Sequence, residues 1–388
     1  MSLSVRKISI ILIITILTTY VLARLFIPAI LDKANNPTIA VDKEQISDEA
    51  KVLHKKLTIM DWHADTLLWN RNFLEASDYG KIDLPRMKQG NLSFQMLTTV
   101  TKASVETNYV KDDGRSDIIT FAAIVQGWPI KTWNSLLERA LYQAEKLNQY
   151  ERKSNGQLVF IKSQADLQQH LHNRPSSVAV FLGTEGTHPL EGNIKNLDRM
   201  YAAGFRMFGL THFFDNELGG SLHGVSKAGL TDFGRLVVKR MDALNVIIDL
   251  AHSSEQMVQD VLALSNRPPV ISHTGLRGNC QSLRNLSDDL VKAVAAKGGL
   301  IAIGFWAAAI CDDSPMGIAT AIKYGIDLVG ADYIALGSDW DGGVKTIASN
   351  DIISITDALL ELGVSEGDIR KVMGENSINF LARWLPQH

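Results

Sequence analysis

The pattern of apolar and polar positions divides the chain into three parts. Residues 8–23 (ISIILIITILTTYVLA) form an uncharged apolar run behind Arg6 and Lys7, and after Arg24 the run partly resumes as LFIPAIL. No polar face exists at any helical period, which argues against a buried helix of a soluble domain. Sixteen residues fall short of the roughly 20 that span a bilayer, and a signal peptide shares the basic start and apolar centre. No clean small-x-small cleavage site follows, and Arg24 can snorkel to the far interface while LFIPAIL lies along it. The expectation is an uncleaved signal anchor over residues 1–31, with a cleaved signal and a secreted product as the alternative. The basic pair then places the rest of the chain outside the cytoplasm, on the periplasmic or extracellular side. Residues 32–48 (DKANNPTIAVDKEQISD) turn polar and read as a tether. Residues 49–388 read as one continuous domain without a linker or short repeat.

Within that domain, eight short apolar runs recur, at residues 57–63, 92–100, 178–185, 206–212, 246–252, 269–274, 299–306 and 333–340. Nearly continuous apolar strands alternating with helical patterns indicate a parallel sheet buried on both faces. Stretches such as NLDRMYAAG, FGRLVVKRMDALN and SEQMVQDVLALS supply the helices, and Gly204, Asn245 and Gly298 fall where a helix end needs a left-handed residue. Eight strand–helix units in this length predict a (β/α)8 barrel of the TIM type with insertions. A doubly wound sheet is the competing architecture. The main insertion, residues 101–177, separates the second and third strands and carries a long helix near 132–153.

Composition narrows the function. With 46% hydrophobic residues the chain has enough apolar surface to fold throughout. Its 39 Lys and Arg against 42 Asp and Glu leave no basic surface for nucleic acid. Two cysteines exclude a disulfide scaffold, a zinc finger and any four-cysteine metal site.

The chemistry lies where the strands end. The first ends in Asp61, His63 and Asp65, the third in Glu185, the fourth in His212, the fifth in His252, the sixth in His273 and the eighth in Asp339. Barrel enzymes build their sites at the C-terminal ends of the strands, so these groups converge on one mouth. Burying so many titratable groups together without a cation is very costly. His63 and Asp65 share one side of a strand and can reach one ion. Imidazole and carboxylate without thiolate suit a hydrolytic zinc site, with other divalent ions as alternatives. His63, Asp65, Glu185, His252 and His273 are too many ligands for one open zinc. Shared between two ions with Glu185 bridging, they fit a dinuclear centre holding a hydroxide between the metals. His212 and Asp339 then remain for chemistry.

The chain resembles the membrane dipeptidase (renal dipeptidase-like) family of metallopeptidases over about residues 55–383. The motifs that carry the resemblance are DWHADTL at 61–67, KIDLPRMKQGNLSFQML at 81–97, GTEGTHPL at 183–190, LTH at 210–212, DLAHSS at 249–254, ISHT at 271–274, RNLSDD at 284–289 and GSDWDG at 337–342. The resemblance implies His63 and Asp65 on one zinc, His252 and His273 on the other, and Glu185 as the bridge. It implies that His212 binds substrate and stabilises the oxyanion, and that Asp339 is the acid/base residue. Arg284 matches the arginine that binds the substrate's terminal carboxylate, a task suited to a bidentate guanidinium. Holding both the carboxylate and the amine selects a dipeptide and nothing longer. Asp341 reads as a supporting or loop-closing residue, and Asp61 either orients a ligand or points behind the first strand. His188, His223 and Asp215 have no assigned role, while His54, His170, His172 and His388 read as surface or packing residues. Some relatives carry a cysteine pair where Cys280 and Cys311 stand, which implies a bridge, with two free thiols as the alternative.

The expectation is thus a membrane-anchored dizinc dipeptidase, with a C-terminal D-residue among the substrates and a homodimer as the assembly common among relatives. A related dizinc amidohydrolase of cyclic amides, lactones or β-lactams is the alternative, and Arg284 argues against neutral cyclic substrates. A catalytically dead binding barrel is disfavoured, because every expected ligand is present.

Overall fold

Eight parallel strands close into a barrel in the computed structural model, which describes residues 3–173 and 176–388. The strands are β1 (Ile59–Ala64), β2 (Leu92–Leu97), β3 (Val178–Thr184), β4 (Phe205–Gly209), β5 (Ile247–Asp249), β6 (Val270–Thr274), β7 (Leu300–Ile303) and β8 (Ile334–Leu336). Each pairs in parallel with the next, and β8 returns to β1 through Leu336 opposite Asp61. That closure excludes the doubly wound sheet. A three-residue strand, Leu158–Phe160, adds to β3 from outside the ring, and β2 still pairs with β3 directly.

Alternation along the strands builds two apolar layers. Met60, Trp62, Phe94, Met96, Ala179 and Phe181 join residues of the other strands in one cluster that fills the barrel, capped by Phe380 and Leu381 of the C-terminal helix Asn376–Trp384. Val178, Val180 and Leu182 belong to a second cluster shared with helix residues such as Leu137, Val237, Val258 and Leu359. Gly204, Asn245 and Gly298 all take left-handed backbone, as their positions after helices require. The long insertion helix runs Leu136–Lys153 and starts late because Ser135 caps it, accepting from Glu138 N.

Several strands are shorter than their apolar runs. The runs reach His212, His252 and Asp339, whereas β4, β5 and β8 stop at Gly209, Asp249 and Leu336. His252 and Asp339 have φ of 61° and 59°, a left-handed turn that no strand can continue. The chain therefore breaks off just before its polar residues and aims them over the mouth.

The N-terminal segment differs from a free tether. One helix spans Leu3–Asn35 with Pro28 inside it, and its stretch Lys7–Asn35 is long and apolar enough to cross a membrane. Asp32 and Asn36, which follow the apolar part, are buried against the barrel. Thr38–Ile39 pairs in parallel with Thr346–Ile347. Most of residues 32–48 is exposed, as the polar composition suggests, but Asp32 and Asn36 are matched to Arg71, Lys81 and Gly343 of the domain.

Candidate metal and active site

His63, Asp65, Glu185, His212, His252, His273, Arg284 and Asp339 meet at one end of the barrel, and each is at most 7% exposed. A cavity of about 290 Å³ opens over them, lined by Asp65, Glu185, His212, His252, Arg284 and Asp339 among others. Glu185 is the hub. Its Oε1 lies 3.1 Å from His252 Nε2, 3.3 Å from His273 Nε2 and 3.6 Å from His63 Nε2. Its Oε2 lies 3.3 Å from His212 Nε2. Asp65 Oδ2 sits 3.3 Å from His63 Nε2.

Buried hydrogen bonds aim these groups. Ser272 Oγ donates to Asp249 Oδ2 at 2.6 Å and so is free to accept from His273 Nδ1 at 2.9 Å and His63 Nδ1 at 3.3 Å. Those bonds give each Nδ1 an acceptor for its proton and turn both Nε2 atoms toward Glu185. Thr98 Oγ1 donates to Asp65 Oδ1 at 2.6 Å, which leaves Oδ2 for the cluster. Asp61 accepts from His63 N, Gln95 Nε2, Ser338 N and Ser338 Oγ. It therefore ties β1 to β2 and β8 rather than facing the mouth. Gly342 makes room for Asp339, since a Cβ there would stand 1.9 Å from Asp339 Oδ1.

The donor set fits divalent cations. Ligand atoms about 2.0–2.1 Å from one tetrahedral zinc stand roughly 3.3 Å apart. His252 Nε2, His273 Nε2 and Glu185 Oε1 are separated by 2.9, 3.1 and 3.3 Å. His63, Asp65 and Asp339 offer a second group of donors within 4.8 Å of one another. Burial, with Asp65 adding repulsion, raises Glu185 well above the usual carboxylate range. Burial also pushes Asp339 up to about 7. Burial opposes a charge on His63, yet Asp65 and Glu185 outweigh it and lift that imidazole to about 10. The cluster holds protons where cations would relieve it. His252 Nδ1 is buried without a hydrogen-bond partner, so this ring is directed by what its Nε2 meets and by its packing against Phe213 and the neighbouring imidazoles.

Arg284 is 1% exposed; its Nη2 donates to His273 O at 2.9 Å, and its guanidinium lies 5.3 Å from the centre of the Trp306 ring. Cys280 and Cys311 form a disulfide with Cα atoms 5.6 Å apart, tying the loop that carries Arg284 to the loop after Trp306. Asp341 accepts from Arg71 Nη2 and Lys81 N. Asp215 accepts from Ser221 N and Ser226 N and so closes its own loop. His223 lies 5.6 Å, ring to ring, from His252. His54 is buried between Thr356 and Gly90 O, a packing role. Asp249, Ser272 and Thr98 are supporting residues that the strand-end pattern does not single out.

His188 stacks on Phe214, and its Nε2 is buried without a partner. Burial, reinforced by His212, lowers it from 6.5 to about 3. The unfolded chain then binds a proton that the folded chain refuses, so its stability contribution is intact above pH 6.5 and is lost as pH falls toward 3. His188 alone contributes a slope of about 1.4 kcal/mol per pH unit within that window. Urea unfolding of wild type and His188→Gln at pH 6.5, 5.5 and 4.5 should show a shallower loss in the variant. Equal slopes would remove His188 from the account.

A barrel that gathers histidines and carboxylates at its strand ends is a metal-dependent hydrolase in architecture and in site. Membrane dipeptidase (peptidase family M19) matches residues 47–383. The chain belongs to that family and is a metallodipeptidase. It is 26% identical to the dipeptidase aclJ of Aspergillus oryzae, across 94% of this chain and 86% of that protein. An uncharacterized dipeptidase of Schizosaccharomyces pombe, C965.12, is 24% identical over 78% of this chain and 73% of its own length. Among solved structures, the probable dipeptidase PvdM of Pseudomonas aeruginosa superposes with a TM-score of 0.73 at 20% identity, covering 89% of this chain and all of its own. A metallopeptidase of Rhodobacter sphaeroides, liganded with a phosphinate mimic of L-Ala-D-Ala, gives 0.69 at 22% identity over 84% of this chain and 99% of its own. At these identities the structural likeness concerns the fold.

Proposed function

We propose that the chain hydrolyses dipeptides at a centre of two divalent ions, zinc in the first instance. His63 and Asp65 would hold one ion, His252 and His273 the other, and Glu185 both. When bound, such ions lower the pKa of water and polarise a scissile carbonyl. Arg284 binds the substrate's terminal carboxylate. His212, lowered to about 4 by burial, is an uncharged imidazole at neutral pH. Its Nδ1 faces Lys102 O at 3.4 Å, and in the tautomer that gives up this long bond and carries the proton on Nε2 it would donate to the carbonyl oxygen as charge develops there. Asp339 accepts the proton of the attacking water and returns it to the departing amine, so hydrolysis yields two amino acids with no net change on the enzyme.

The observation that carries this reading is a fully buried guanidinium lining the same cavity as Glu185, His212 and Asp339. A neutral cyclic substrate would leave that charge unmatched, whereas the free carboxylate of a dipeptide pairs with it. The mimic held by the Rhodobacter sphaeroides protein supports including dipeptides with a C-terminal D-residue. The apolar stretch Lys7–Asn35 supports a membrane anchor with the barrel outside the cytoplasm.

Full-length protein purified in detergent without chelator should contain close to two metal ions per chain and cleave L-Xaa-L-Xaa and L-Xaa-D-Xaa dipeptides. His252→Ala should lose occupancy of one site together with activity. A fully active preparation containing one ion or none would end the dinuclear reading.

A further inference from the structure

We propose that the last turn of the N-terminal helix is a wall of the subsite for the substrate's amino-terminal residue, and that this subsite takes a large apolar side chain. Leu31 and Asn35 line the cavity that also holds Glu185, His212, Arg284 and Asp339. Both precede residues 47–383, the part of the chain that the family match spans.

The helix end is fixed in place. Arg71 Nε donates to Asp32 Oδ2 at 2.6 Å, and the same guanidinium donates to Asp341. Asp32, Arg71 and Asp341 are 1%, 8% and 0% exposed. One turn further on, Asn36 Oδ1 accepts from Lys81 Nζ and Gly343 N, each at 3.2 Å. A buried ion triad and two hydrogen bonds thus lock the turn to the segment after β1, through Arg71 and Lys81, and to the loop that begins at Asp339, through Asp341 and Gly343.

Barrel order decides which part of the substrate meets this wall. Arg284 follows β6, and the strand across an eight-stranded ring from β6 is β2. Leu68 and Trp69 follow β1, while Val100 and Ile119 follow β2. Leu31 packs against the cluster these four residues form. A dipeptide whose carboxylate sits on Arg284 and whose scissile bond lies over Glu185 therefore points its first side chain at Leu31, Leu68, Trp69, Val100 and Ile119. These five side chains are apolar, so an apolar side chain gains from burial against them, while an acidic one meets the carboxylates of Asp65 and Asp341 in the same cavity wall.

This proposal rests on the dipeptidase reading, and the test separates the two. The full chain in detergent is assayed on Leu-Ala, Phe-Ala, Gly-Ala and Asp-Ala. Wild type should show kcat/KM about tenfold or more higher for Leu-Ala and Phe-Ala than for the other two. Leu31→Gln should lower Leu-Ala about tenfold and leave Gly-Ala within about twofold, while Leu31→Met keeps the wild-type ranking. Leu31→Ala carries the same decision if the glutamine variant does not accumulate. Indifference of wild type to the first side chain, or a Leu31 variant that leaves all substrates unchanged or scales them equally, overturns the proposal. Failure of wild type on every dipeptide would instead overturn the dipeptidase reading.

Discussion

Asp339→Asn should lower kcat for dipeptide hydrolysis by about 10²–10⁴-fold, the usual worth of a general acid–base group. Asparagine keeps the size of the side chain, so the tight space beside Gly342 is still filled. It cannot accept a proton from water or return one to the leaving amine. Because Asp339 is not required to complete the set His63, Asp65, Glu185, His252 and His273, metal content should stay near two, and a dipeptide-like inhibitor should still bind. Its position invites a sharp check, since it lies within ligand distance of His63 and Asp65. Loss of one ion, with turnover restored by added zinc, would show that a ligand had been mistaken for the proton carrier.

Arg284→Ala should lower kcat/KM by about 10²-fold or more, the cost of removing one member of a desolvated charge pair. The loss should appear mainly in KM, because the carboxylate is bound alike in the ground and transition states. Wild type should discriminate against dipeptide amides to a similar degree, and the variant should lose that discrimination. Arg284 also donates to His273 O, so metal content is measured alongside. An unchanged preference for free carboxylates in the variant would place the carboxylate site elsewhere.

The barrel and the converging residues were legible because both rest on local patterns. Each strand is a short apolar run, and the site residues stand near its C-terminal end, His63 and His273 within β1 and β6 and Glu185 just after Val178–Thr184. What aims them was not legible. Asp249 and Ser272 lie inside short strands and look like ordinary polar interruptions until the barrel brings them together 23 residues apart in sequence. The burial of Asp32 and Asn36 depends on Arg71, Lys81 and Gly343, which sit between 39 and 307 positions away. Local composition carries no trace of such partners, so a polar stretch after an apolar helix reads as solvated chain. The strand Leu158–Phe160 escaped for a simpler reason: three residues are too few to show a period.

His252, Asp339 and Asp341 all occupy left-handed backbone. An ordinary L-residue gives up about 1–2 kcal/mol to stand there, and glycine would give up almost nothing. The substitutions that would most relax the fold at these positions are therefore the ones that would erase its chemistry. Thermal robustness and turnover pull in opposite directions at this rim, and attempts to toughen the enzyme belong on its exposed helices instead.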